Sequence, residues 1–302
     1  MQRLEGRVKV LRAADYDAGT LLQAPPEALA LIAGAAPPNA VTARFEVTYN
    51  GFSDEAKKAF QAAVDVWAVT LSTSVTIRVE ATWTQLGPGI LGQAGPTTVL
   101  RDFAGALRAG TWYPVALANK LAGKDQAPGQ ADISAEFNSG FDNWYFGTDG
   151  RTPVGKFDLM SVVLHEIGHG LGFVGSGDVS NGQGGWGWNG FPAIWDHFIQ
   201  NGQGKKITDT ASFPNPSPQL AAQLQGDDLF FNGAGARAAN GGRNVPIFAP
   251  NPFDDGSSYS HQDEATFPAG NANSLMTPQL GRAEAIHSPG PIGMGILRDI
   301  GW

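Results

Sequence analysis

Cysteine is absent from the 302 residues, which excludes disulfides, thiol nucleophiles and cysteine-ligated zinc together. Charge is sparse, with Asp, Glu, Lys and Arg making 16% of the chain. The net charge is −8 and no Lys/Arg run occurs, which excludes the clustered cations of a nucleic-acid grip. Long apolar runs are missing too: the longest stretches, such as residues 28–36, fall well short of the ~18–20 residues that cross a bilayer. Residues 1–12 lack the apolar core and small-residue cleavage site of a signal peptide. A soluble chain without a membrane span is expected.

What the chain has in excess is glycine (40) and proline (20), about a fifth of all residues against a usual share of roughly an eighth. With 42% hydrophobic residues this is a folding composition with long, turn-rich loops. Residues 1–40 are Ala/Pro-rich and close in Ala35-Ala36-Pro37-Pro38-Asn39, so they read as an N-terminal extension, pro-segment or linker before a domain over 41–302. Alternating patterns predict strands over 43–49, 75–83 and 131–138. Ser53 as N-cap and Phe60, Val64, Trp67 and Leu71 at helical spacing predict a helix over 54–71. Asp158 is the expected cap of a second, mostly apolar helix ending near Gly170 and Gly172. Beyond it lie Gly/Asn-rich loops, a short helix over 217–225 and a final helix over 292–300. The fold class expected is α+β, with a mixed sheet and helix in an upper lobe (about 41–173) and a loop-rich lower lobe (about 174–302).

The second helix carries His165-Glu166-Ile167-Gly168-His169. Four residues make about one helical turn, so both imidazoles project from one face about 6 Å apart and can share a metal. Glu166, rotated by about 100°, reaches a metal-bound water rather than the metal, and is the expected general base. Five histidines and nine glutamates would produce this pattern by chance about 0.002 times. The flanking Val162, Val163, Leu164, Ile167 and Leu171 are apolar, and unpaired histidines among them would be costly. A zinc hydrolase takes a third protein ligand and keeps one position open. His at position 175 would complete a compact pattern, but the residue is Gly175. His197, His261, His287, Asp196 and Glu264 remain as candidates.

Tyr259-Ser260-His261-Gln262 is followed by Asn273-Ser274-Leu275-Met276-Thr277-Pro278 and then by Leu297-Arg298-Asp299-Ile300-Gly301-Trp302. These blocks, with residues 158–174, resemble the leishmanolysin-type metzincin metallopeptidases. The resemblance implies His165, His169 and His261 as zinc ligands, Glu166 as general base, Met276 as the Met-turn beneath the metal, and Gly172 as the turn out of the helix. It also implies a two-lobed fold in which strand 131–138 would be the substrate-pairing edge. The chain departs from the family in lacking cysteines, in Gln262 where an aromatic follows Ser-His, and in Met276-Thr277-Pro278 where some metzincins carry a tyrosine. Tyr259 is a loose candidate for oxyanion stabilisation.

The expected activity is that of a secreted or cell-surface zinc endopeptidase acting as a monomer on protein or peptide, through one catalytic Zn2+. A non-catalytic zinc-stabilised binding module and a zinc hydrolase of a non-peptide amide are the alternatives. Ca2+ could bind Asp142 to Asp149, Asp227-Asp228 or Asp254-Asp255, although none forms an Asp-x-Asp-x-Asp-Gly loop and solvated turns are the simpler reading. Trp186 and Trp188 could line a cleft, His287 reads as a structural histidine, and Asp15 or Asp17 are candidate caps on the zinc.

Overall fold

Hydrophobic spacing sets most of the elements that surround the motif helix. In the computed structural model, which describes residues 1–36 and 39–302, a mixed six-stranded sheet is built from β1 (Lys9–Leu22), β2 (Phe45–Asn50), β3 (Ile77–Thr84), β4 (Ile90–Pro96), β5 (Ile133–Asn138) and β6 (Gln279–Ile286). The helices that matter to the site are α1 (Asp54–Thr70), α2 (Leu159–Leu171) and α3 (Gly290–Ile300). The class is α+β, as expected. Strand order is β6-β1-β4-β5-β3-β2. β6 is parallel to β1, β4 runs antiparallel to both its neighbours, and β5, β3 and β2 are mutually parallel.

Ser53 caps α1 by accepting from Ala56 N at 3.2 Å, with Asp54 and Glu55 in the first turn where the helix dipole favours them. All thirteen residues of α2 are buried, which its nearly all-round apolar character requires. It packs on β4 and on α1, and Trp67 Nε1 of α1 donates to Leu164 O at 3.1 Å. Asp158 caps α2 as predicted, accepting from Ser161 N at 2.8 Å. Gly172 ends it at φ 139°, a conformation that side chains rarely adopt, while its N–H closes on Gly168 O and His169 O.

Three expectations need correction. Residues 1–40 are not a linker in their first half: Gln2–Glu5 pairs with Thr98–Arg101, and β1 lies inside the main sheet. Its partners lie about 80 and 270 positions away, so only tertiary pairing reveals it. Pro37 and Pro38 of the expected linker lie outside the described residues. Strand 131–138 is real but is not an edge, because β5 sits between β4 and β3. β4 was hidden by Gly92, Gly95 and Pro96, residues that argue against a strand when read locally. Finally, the sheet is not confined to residues 41–173: β1 and β6 come from the two ends of the chain, and β6 occupies a stretch read as loop.

Candidate metal centre

The three ligand candidates arrive from separate parts of the fold. His165 and His169 share one face of α2, and His261 comes from the loop after the strand Val245–Ile247, pinned where Phe248 N donates to His261 O (2.9 Å) and Gln262 N to Met276 O (2.8 Å). Their Nε2 atoms converge at 3.0 Å (His165–His169), 3.0 Å (His169–His261) and 3.3 Å (His261–His165). Each Nδ1 donates to a backbone carbonyl at 2.6 Å: His165 to Leu275 O, His169 to Phe173 O and His261 to Ser257 O. A carbonyl can only accept, so Nδ1 carries the hydrogen in all three rings. The three Nε2 lone pairs therefore face one another with no hydrogen to share.

Protonation does not relieve that repulsion. Burial pushes His165 down to about 4, and burial together with the neighbouring imidazoles holds His169 and His261 well below the ordinary histidine value. Three neutral, pre-oriented nitrogen donors suit a cation, and nitrogens bound to a tetrahedral zinc stand about 3.3 Å apart. Among the described residues these histidines form the one group whose ligand atoms converge in this way. The site can hold a metal ion.

Glu166 lies beside them, wholly buried. Its Oε1 accepts from Leu11 N at 3.3 Å, while Oε2 has no partner among the described residues. Burial raises its carboxyl well above the usual range. Met276 packs under α2: its Sδ would stand 2.7 Å from a Cβ built on Gly168, so the glycine is what lets the sulfur approach the helix.

The other candidates are placed elsewhere. Gly175 leaves no room for the compact-pattern histidine, since a Cβ there would run into the Tyr259 ring and stand 2.6 Å from Trp195 Cδ1. Asp196 is buried and accepts from Ser176 N (2.9 Å), Ser176 Oγ and Ala193 N (2.7 Å). His197 Nε2 is 3.0 Å from Thr111 Oγ1, and His287 Nε2 is 2.8 Å from Asp158 Oδ2. The Tyr259 hydroxyl faces Asp196. Asp15 and Asp17 pair with Arg282, and Asp17 also accepts from Gly155 N, so neither caps the histidines. Of the acidic calcium candidates, Asp254 pairs with Arg12 at 2.9 Å, Asp228 accepts from Gly202 N at 3.0 Å, and Asp149 accepts from the Tyr145 hydroxyl and Arg151 N. Trp188 is buried and its carbonyl accepts from Trp112 Nε1; Trp186 N donates to Asn215.

Sequence reasoning missed Lys9, Leu11 and Arg12, which cover the centre. Their signal was faint: Val8 and Val10 alternate with Lys9, but over too few residues to stand out from a polar terminus.

A family model described as SPBPB7E8-like matches residues 52–232. The chain belongs to the SPBPB7E8-like family. The stretch that defines this SPBPB7E8-like membership contains α1, β4, β5 and all of the His165–His169 motif, and stops short of His261 and Met276. No curated protein and no solved structure matches the chain.

Proposed function

We propose that this SPBPB7E8-like protein is a zinc-dependent endopeptidase of metzincin type, with an upper lobe around α2 and a lower lobe carrying His261 and Met276. One observation carries the reading: three Nε2 lone pairs converge beside a glutamate that keeps one carboxylate oxygen free. His165, His169 and His261 would hold the ion, each fixed in tautomer and angle by its backbone carbonyl. When bound, zinc polarises a carbonyl and acidifies water. Glu166 accepts a proton at Oε2 and passes it to the leaving amine, and its burial keeps that proton from bulk solvent. Met276 supports the rings from below. The protein would act as a secreted or cell-surface monomer on protein or peptide; no helix among the described residues is long and apolar enough to cross a membrane.

A second reading, a zinc-stabilised module without catalysis, draws on the closure of the centre: His165, Glu166, His169 and His261 are each at most 1% exposed. Casein hydrolysis separates the two. Zinc-loaded protein, intact and after limited proteolysis, is compared with Glu166→Ala at matched zinc content. Cleavage by the parent in either form, and by neither form of the variant, supports the peptidase. One equivalent of zinc with no cleavage in any form overturns it and leaves the binding module and the hydrolase of a non-peptide amide.

A further inference from the structure

Tyr259 stands two residues before His261 in a backbone conformation that its side chain disfavours. Its φ is 70°, in the left-handed region, where the other non-glycine residues described are aspartates, asparagines and one alanine. A bulky residue stays there only when its surroundings hold it, and such strain gathers at functional sites. The surroundings of Tyr259 do so from every side. Its N–H donates to Phe248 O at 2.8 Å, and its carbonyl accepts from Trp195 Nε1 at 3.0 Å. Its ring is fully buried and fills space that Gly175 and Gly177 leave open; a Cβ on Gly177 would stand 2.7 Å from Tyr259 Cδ1. Its hydroxyl has no other partner among the described residues and faces the Asp196 carboxylate.

Asp196 sits wholly buried in the short 3-10 turn Trp195–Phe198. It accepts from Ser176 N at 2.9 Å, from Ser176 Oγ and from Ala193 N at 2.7 Å. Its two oxygens are thus used by these donors and not by the Nε2 cluster. Ser176 belongs to the stretch that leaves α2, and that stretch is fastened to both halves of the ligand set. Phe173 O accepts from His169 Nδ1 at 2.6 Å, the Phe173 ring packs on Trp195 with centroids 5.5 Å apart, and Gly175 N donates to Ser260 Oγ at 3.0 Å. His169 and His261 lie 92 positions apart in the chain. Residues 173–177 and 195–196 join them independently of their converging nitrogens.

We propose that Asp196, acting through Tyr259, is the positioning residue for His261: the pair locks the ligand loop onto the segment leaving α2, so that the third imidazole is aimed at the other two before any ion binds. A ligand held in place beforehand spends no ordering entropy at the moment of binding, so the lock raises metal affinity. The inference rests on the metal site and is independent of whether the protein cuts peptides.

The test is Tyr259→Phe, which keeps the ring and removes only the hydroxyl that faces Asp196. Zinc affinity, read by competition with a chromophoric chelator, is expected to fall at least about tenfold. Asp196→Asn should lower it too, and the double variant should fall short of the sum of the two effects because both break one connection. In a His261→Ala background, Tyr259→Phe should leave the residual affinity of the His165–His169 pair unchanged. An unchanged affinity in the single variant, additive effects, or an equal loss in the His261→Ala background overturns the proposal, the last by making the role merely structural. Nuclear magnetic resonance of the histidine rings in the unaltered, metal-free chain gives a check that needs no substitution. His261 should show one fixed tautomer, with its hydrogen on Nδ1, before zinc is added. An averaged His261 ring that becomes fixed only with zinc overturns the proposal. A parent protein that binds no zinc defeats the metal-site reading instead, and the ring measurement then decides the lock alone.

Discussion

Leu11 N donates to Glu166 Oε1 at 3.3 Å, joining residues 155 positions apart in the chain. The contact puts the N-terminal strand on the carboxylate that we propose as the general base. It also accounts for the depth at which Glu166 sits: β1 and β4 close over the face of α2 that would otherwise meet solvent. Burial raises the Glu166 carboxyl, and the same burial keeps the three histidines neutral. The N-terminal strand is therefore part of the cover that buries the centre.

The ligand assignment predicts a contrast between two buried histidines. His261→Ala removes a converging Nε2 and should lower zinc affinity by more than the ~10–100-fold that loss of an outer partner brings. His287→Ala, whose ring meets Asp158 rather than the cluster, should keep one equivalent. Zinc content of the two folded variants, measured after dialysis, decides it. Equal content would sink the assignment.

Asp158 is a second place where one side chain supports several others. It accepts from Ser161 N (2.8 Å), Ser161 Oγ (2.6 Å), Thr152 Oγ1 (2.9 Å) and His287 Nε2 (2.8 Å). Asp158→Ala loses the cap, worth ~1 kcal/mol, and strands buried donors at ~1–3 kcal/mol. A loss of about 2–4 kcal/mol in urea unfolding is expected, with Asp158→Asn nearer to the parent because it still caps. Indistinguishable midpoints for the alanine variant and the parent would show that the network contributes little.

Gly175 should resist even the smallest enlargement. A methyl group there meets the Tyr259 and Trp195 rings, both fully buried, and Gly175 N donates to Ser260 Oγ at 3.0 Å next to His261. Gly175→Ala is expected to cost ~1–3 kcal/mol by overpacking. It should also weaken zinc binding by ~10-fold or more as the Tyr259-Ser260-His261 loop shifts. Thermal unfolding and competitive zinc titration read the two effects separately, and a neutral result in both would remove the steric account of this position.

Much of the centre was legible because its parts are local or strongly patterned. The His165–His169 spacing, the Asp158 cap, the Gly172 stop and α1 all follow from helical periodicity and capping, and each is found as read. His261 and Met276 were reachable only through resemblance, since nothing in residues 170–260 forces a loop to return to α2. The sheet was the harder part. β4 is interrupted by glycines and ends in proline, β6 carries Gly281 and a polar face, and β1 pairs with strands about 80 and 270 positions further along the chain. Strands whose stability comes from distant neighbours leave little trace in a local window, and the covering of Glu166 by Leu11 was invisible for that reason.

β6 also carries a pH-dependent cost to stability. Burial, together with neighbouring Glu264, pushes the Glu284 carboxyl up to about 7, although its Oε2 accepts from Gly281 N at 2.8 Å. In the unfolded chain the group titrates at its ordinary value of 4.5. Between those two values the folded state holds a proton that the unfolded state has released, so stability falls as pH rises from about 4.5 to 7 and then levels off. Glu284→Gln abolishes this titration while keeping an oxygen for Gly281 N. The variant should therefore gain on the parent by about 3 kcal/mol between pH 4.5 and 8, at ~1.4 kcal/mol per pH unit. Urea unfolding of both proteins across that range provides the measurement. A constant difference would mean that Glu284 is ionised in the fold, and that solvent or a cation reaches this end of the sheet.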